Sequence, residues 1–370
     1  MSDGTERNAK PDGVQELSAQ GAGAAARPRM SGHWIFFGPQ GLLRAGWSIL
    51  IFAALCAILI IGAQVFVGPL LHVNLSEPVE PMKGLAMELC QFVPVVIATW
   101  VMARLERRPL LSYGYQGPAR AVRFIAGMVW GFFAISVLVL VLRHMGYLTL
   151  EGRVLNGGAA LRYAALWGVV FICVGFTEES MLRGYAQFTI TRGLGFWWGL
   201  ILLALLFGFL HRDNPGESPV GLASVVGAGA IFCLSLWYTG SLWWAVGFHA
   251  AWDWGQSYFY GTADSGVLAQ GHLFREHPVG SALWSGGTTG PEGSVVGLPL
   301  LLVIALIMVL WWGRQGKSPF AGSAWRAGRP PIDVEEVHSR IANPRIRSGA
   351  DREAHTSRGI PGRCTRRGGG

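Results

Sequence analysis

Long apolar runs broken by short polar stretches dominate this chain. The runs cover about 45–67, 84–103, 124–142, 159–176, 195–210, 220–237, 242–260 and 295–312. Several are close to the ~20 apolar residues that a helix needs to cross a bilayer. A span has to satisfy its backbone internally, so each run is predicted to be a helix. The pattern gives an all-α, polytopic membrane protein of about eight helices. The membrane domain covers 41–312, a polar arm covers 1–40 and a tail covers 313–370. Glu88, Gln91 and Pro94 interrupt the second run, and the proline is expected to kink it.

Composition agrees with this reading. Charged residues make up 14% of the chain, against about 25% in soluble domains. Arg104, Arg107, Arg108, Arg120 and Arg123 crowd one loop, and the tail after Trp312 is basic as well. With eight spans both segments fall on the same side, which the positive-inside rule makes cytoplasmic. The protein is expected in the cell membrane, multi-pass, with both termini in the cytoplasm. The net charge of +8 therefore reports topology first. The sequence carries no nucleic-acid motif and no phosphate-cradling glycine loop. Arm and tail lack apolar periodicity and are expected to be disordered, although a basic tail could also touch anionic lipid. Cys56, Cys90, Cys173 and Cys233 sit in apolar runs, Cys364 in the tail, and no CxxC occurs, which argues against a disulfide framework or a cysteine metal site.

The fourth run ends in Phe176-Thr-Glu178-Glu179-Ser-Met-Leu-Arg183-Gly-Tyr. Ionisable groups at membrane depth are costly and mark function. Glu179 and Arg183 are four apart and share a helix face, with the acid N-terminal to the base. Glu178 points about 100° away and has no partner on its own face. Glu178 is thus the candidate reactive acid, and Glu179 the neighbour that orients it. Two further pairs at the same spacing follow: Phe207 with His211, and His249 with Asp253. Hairpins turning near Gly193 and Gly240 would put Glu179 at about 21 Å, His211 at about 27 Å, His249 at about 14 Å and Asp253 at about 20 Å from their turns, so all four can share one layer.

A carboxylate and two histidines around a water-filled pocket suit hydrolysis. The acid takes a proton from water, one histidine holds that water, and the other stabilises an oxyanion. Glu178, His211 and His249 could instead bind a divalent metal such as zinc, with a position left for water. A proton-coupled transporter or a non-catalytic scaffold could also use buried Glu and His. No HExxH or GxSxG accompanies the site.

Glu178-Glu179-x-x-x-Arg183, Phe207-x-x-x-His211 and His249-x-x-x-Asp253, in this order on successive helices, resemble the CPBP family of intramembrane proteases. That family includes the type II CAAX prenyl endopeptidases and the bacterial Abi proteins. The resemblance covers about 159–260. It implies hydrolysis of a peptide bond in a membrane-associated protein or peptide, by a glutamate-activated or a metal-bound water. It does not imply a prenylated substrate. The third motif of the family ends in Asn or Asp; with Asp253, a hydrogen-bond donor there must be a protonated carboxyl or a water.

Overall fold

A computed structural model describes residues 33–38, 41–75, 77–314 and 318–321. Nearly all of the polar arm and the basic tail lie outside the described residues. Helices occupy all eight apolar runs: α1 (Ala45–Leu71), α2 (Pro81–Leu105), α3 (Arg120–His144), α4 (Gly157–Glu178) continued by α5 (Gln187–Leu194), α6 (Phe196–His211), α7 (Pro219–Thr239), α8 (Trp243–Asp253) and α9 (Gly297–Trp312). Five of these stretches, with Gly157–Leu194 taken as one, are long and apolar enough to span a membrane; α6 and α9 are shorter apolar helices. The protein is an all-α, polytopic membrane protein. Pro94 lies inside α2, which runs on through it.

Two hairpins bring the polar residues together. Gly195, at φ 99°, ends α5 and starts α6. Gly240, at φ 64°, ends α7 in the left-handed conformation that favours glycine. Leu242 N–H donates to Gly114 O at 2.9 Å, so the arginine-bearing loop between α2 and α3 meets the α7–α8 turn at one end of the bundle.

The centre of the bundle is α8, in which every residue but Trp243 and Trp252 is buried. It is admitted by glycines on its neighbours. A Cβ at Gly127 or Gly131 of α3 would strike Trp244 O or Phe248 O, and one at Gly175 of α4 would approach Val246 O. Small residues that let backbones touch are how membrane helices pack closely.

One element was not expected. β1 (Leu148–Arg153) pairs antiparallel with β2 (Phe274–Pro278), with Leu150 opposite Glu276 and a bulge before Gly152. The strands belong to loops far apart in the chain, so no short hairpin pattern announces them. Glu276 is buried, and neither of its carboxyl oxygens has a hydrogen-bond partner among the described residues. Burial pushes it from its ordinary 4.5 to about 7, with Arg143 opposing. Between those values folded Glu276 keeps a proton that the unfolded chain gives up. Its contribution to stability is therefore full below 4.5 and is lost as pH rises through about 7. The melting temperature of Glu276→Gln should fall less than that of wild type between about pH 5 and about pH 8. Parallel curves would show that Glu276 does not titrate in this window.

Candidate active site

α4 does not stop at Glu178. It widens into a π-helical turn, Glu179–Ala186, with a non-helical Gly184 (ψ −114°), before α5 resumes. Such turns recur at functional sites. In this turn Arg183 Nη1 donates to Glu179 Oε1 at 3.1 Å, and both side chains are wholly buried. The guanidinium lies 4.2 Å from the Phe207 ring centroid and 5.5 Å from that of Phe232, so α6 and α7 supply aromatic faces to the cation.

Glu179 Oε1 also lies 3.2 Å from His249 Nδ1. A carboxylate can only accept, so Nδ1 carries the proton of that bond. Sequence spacing made Glu179 the group that orients Glu178; its hydrogen bonds go instead to Arg183 and to His249. His249 is further fixed by stacking on Phe232, at 5.2 Å and 20°. Its Nε2 lies 3.5 Å from Glu178 Oε2 and 3.5 Å from Asp253 Oδ2. Glu178, Glu179, His249 and Asp253 thus form one cluster between α4 and α8.

Glu178 differs from Glu179 in access. Its side chain is 25% exposed, against 0% for Glu179, and its Oε2 has no hydrogen-bond partner among the described residues. It opens on a cavity of about 220 Å³ that His211, His249 and Asp253 also line. Phe171, Val174, Phe207 and Trp252 supply apolar wall. The space is large enough for several waters. His211 closes α6. Its Nδ1 is 2.8 Å from Phe207 O, and because that oxygen accepts, Nδ1 carries the proton of that bond and Nε2 is the nitrogen left for another partner. Every residue singled out in the sequence is therefore at this cavity or directly behind it.

Other polar groups share the place. Asn214, Asp264 and Glu292 line the same cavity, from the loops after α6 and α8. Glu88 of α2, also buried, is within reach of a Thr177 hydrogen bond and of the charges on Glu178 and His249. The apolar surroundings of Glu88 were the only sequence sign of its role. Asp264 and Glu292 sit in Gly- and Ser-rich loop sequence without a motif.

Among the described residues no three His, Cys, Asp or Glu side chains converge as a set that would hold a metal ion. Glu178, His211 and His249, the candidate ligands, face one cavity without forming a ligand shell. The arrangement does not fit a resident metal, and no step below is routed through one.

Residues 160–255 match the family model described as type II CAAX prenyl endopeptidase Rce1-like. This segment is similar to the CPBP/CAAX protease family. It runs from α4 to the turn after α8 and contains all three motifs, in agreement with the range over which the sequence resembles the family. No curated protein and no solved structure matches the chain. The match supports an intramembrane CAAX-protease-like hydrolase in general terms; α1, α2, α3, α9 and the loop after α8 lie outside it.

Proposed function

We propose that the chain is an intramembrane endopeptidase that hydrolyses a peptide bond of a membrane-anchored protein or peptide with Glu178 as general base. The observation that carries this reading is the unequal environment of the two adjacent acids. Glu179 is wholly buried against Arg183 and His249, while the Glu178 side chain is a quarter exposed and lines a cavity that both histidines share.

The steps follow from the groups present. A water in the cavity is held by His211 Nε2, the nitrogen not engaged by Phe207 O. Glu178 takes one proton of that water as its oxygen attacks the carbonyl carbon. The oxyanion that develops is met by His249 Nε2–H, in a ring held by Glu179 and Phe232. Asp253 shares that nitrogen; as a protonated carboxyl it is a second donor. Arg183 stays behind the reaction and fixes Glu179. The apolar wall strengthens every charge interaction inside the cavity.

The test is cleavage of a farnesylated, internally quenched CAAX peptide by purified protein in liposomes. Wild type should cleave it and Glu178→Gln should not. Equal cleavage by both would remove Glu178 from the chemistry.

The proposed orientation puts both termini, with the arginine loop, in the cytoplasm. The cavity and its loops then lie toward the opposite face. A cysteine at Thr149 should react with an impermeant maleimide on intact cells, and one at Arg107 only after permeabilisation. The reverse pattern would invert the topology.

A further inference from the structure

Hydrolysis of an amide needs an acid as well as a base, because an amine leaves poorly unless it receives a proton. The donors already assigned, His249 Nε2–H and a protonated Asp253, are committed to the oxyanion. His211 commits Nδ1–H to Phe207 O, and His249 commits Nδ1–H to Glu179. Asp264 and Glu292 line the same cavity, and nothing in the steps above uses them.

The loop that carries them is built to hold them still. Asp264 and Val267 close a tight turn on each other with two backbone hydrogen bonds of 2.9 Å. Inside it Ser265 adopts φ 44°, a left-handed conformation that a serine takes only when its surroundings impose it. What imposes it is Glu292. Its Oε1 accepts from Ser265 N at 2.6 Å and from Ser265 Oγ at 3.1 Å. Gly266 follows, where any Cβ would strike Pro215 O; its N–H donates to Thr289 O at 3.0 Å, and Thr289 Oγ1 reaches Gly216 O at 2.8 Å. The turn is thus tied to the loop after α6. Ser257 Oγ donates to Asp264 Oδ2 at 3.0 Å and fixes the carboxyl itself. This is a roof pinned from three sides, with two carboxyls turned into the cavity.

We propose that Asp264 is the general acid of the reaction, handing a proton from Oδ1 to the departing amine, and that Glu292 positions it and restores its proton. This rests on the proposed function above. The step balances. Glu178 takes one proton of water while the hydroxide oxygen bonds the carbonyl carbon. The C–N bond then breaks, its electron pair stays on nitrogen, and nitrogen takes the Asp264 proton. Glu178 is left protonated and Asp264 ionised; Glu292 gives its proton to Asp264 and is itself reprotonated by the proton that Glu178 releases, which resets the site.

The charges around the two acids support this. Asp264 is within range of the charges on Asp253, Glu178 and His249, and Glu292 within range of those on Asp264 and Glu217. Among the described residues no Lys or Arg lines the cavity. Neighbouring carboxyls in a confined space cannot all ionise, so some keep protons. Burial moves Asp264 well above the ordinary carboxylate range and Glu292 up to about 8.

The experiment pairs two probes. One is the farnesylated CAAX peptide; the other is the same peptide with an ester at the scissile bond, whose alkoxide leaves with less need of a proton. Asp264→Asn should slow the amide at least about tenfold more than the ester. Infrared spectra of the protein in lipid near neutral pH should show protonated-carboxyl absorption that Asp264→Asn and Glu292→Gln each diminish. Equal loss on amide and ester, as a purely structural role would give, overturns the assignment. So does unchanged carboxyl absorption in both variants. If wild type cleaves neither probe while the absorption behaves as expected, the proposed function is what fails, and the role of Asp264 as its acid falls with it.

Discussion

Glu178→Gln should lower kcat at least about a hundredfold, the low end for loss of a general acid or base. That is about 2.7 kcal/mol of transition-state stabilisation. Gln has the same shape, and the one contact Glu178 Oε2 makes in the site, 3.5 Å to His249 Nε2, is too long to hold the fold together. The variant should therefore fold and insert like wild type, and the loss should sit in kcat rather than in yield. His249→Ala should cost a similar factor, typical of losing one oxyanion donor. Glu179→Gln should behave differently. It weakens a wholly buried bond to Arg183 and the contact that orients His249, so stability should fall along with rate. If Glu178→Gln keeps its activity while Glu179→Gln alone loses it at full stability, the roles of the two acids are reversed.

Arg183→Ala should be the most destabilising single change in the site. Glu179 and Arg183 are both wholly buried, so removing the guanidinium leaves a carboxylate without its counter-charge in the middle of the bundle. Breaking such a pair costs about 3–5 kcal/mol. The cation also packs on Phe207 and Phe232, so a void opens beneath α6 and α7. Thermal unfolding in detergent should show a large drop in melting temperature and a low folded yield. Adding Glu179→Gln to Arg183→Ala should recover part of the loss, because the stranded charge is gone; the two effects should be non-additive, as expected for residues in contact. A fully stable, fully active Arg183→Ala would show that the pair contributes nothing.

Much of this was legible from residue spacing. Apolar runs marked the eight helices, because a membrane segment has no other way to satisfy its backbone. The four-residue interval between Glu179 and Arg183 announced their pair, and Gly240 announced the turn that brings His249 back to the layer of Glu178. Less was legible where contacts are long-range. Nothing local in Gly127, Gly131 and Gly175 says that they form the seat of α8; that depends on which helix packs there. The π-helical turn leaves no mark in the order Glu179-Ser-Met-Leu-Arg183, yet it is where Glu179 meets both Arg183 and His249. Asp264 and Glu292 looked like ordinary loop acids. They reach the cavity only because the loop after α8 folds back and ties itself to Gly216. Glu276 is similar: its burial is created by a strand partner in a distant loop.

The most direct test of the central claim is mass spectrometry of the products made by purified protein in liposomes from the farnesylated CAAX peptide, with a metal chelator present throughout. Hydrolysis by protein groups predicts two fragments whose masses add up to the peptide plus one water, formed by wild type in chelator and absent with Glu178→Gln. Fragments that vanish on chelation, or that Glu178→Gln releases as fast as wild type, would contradict it.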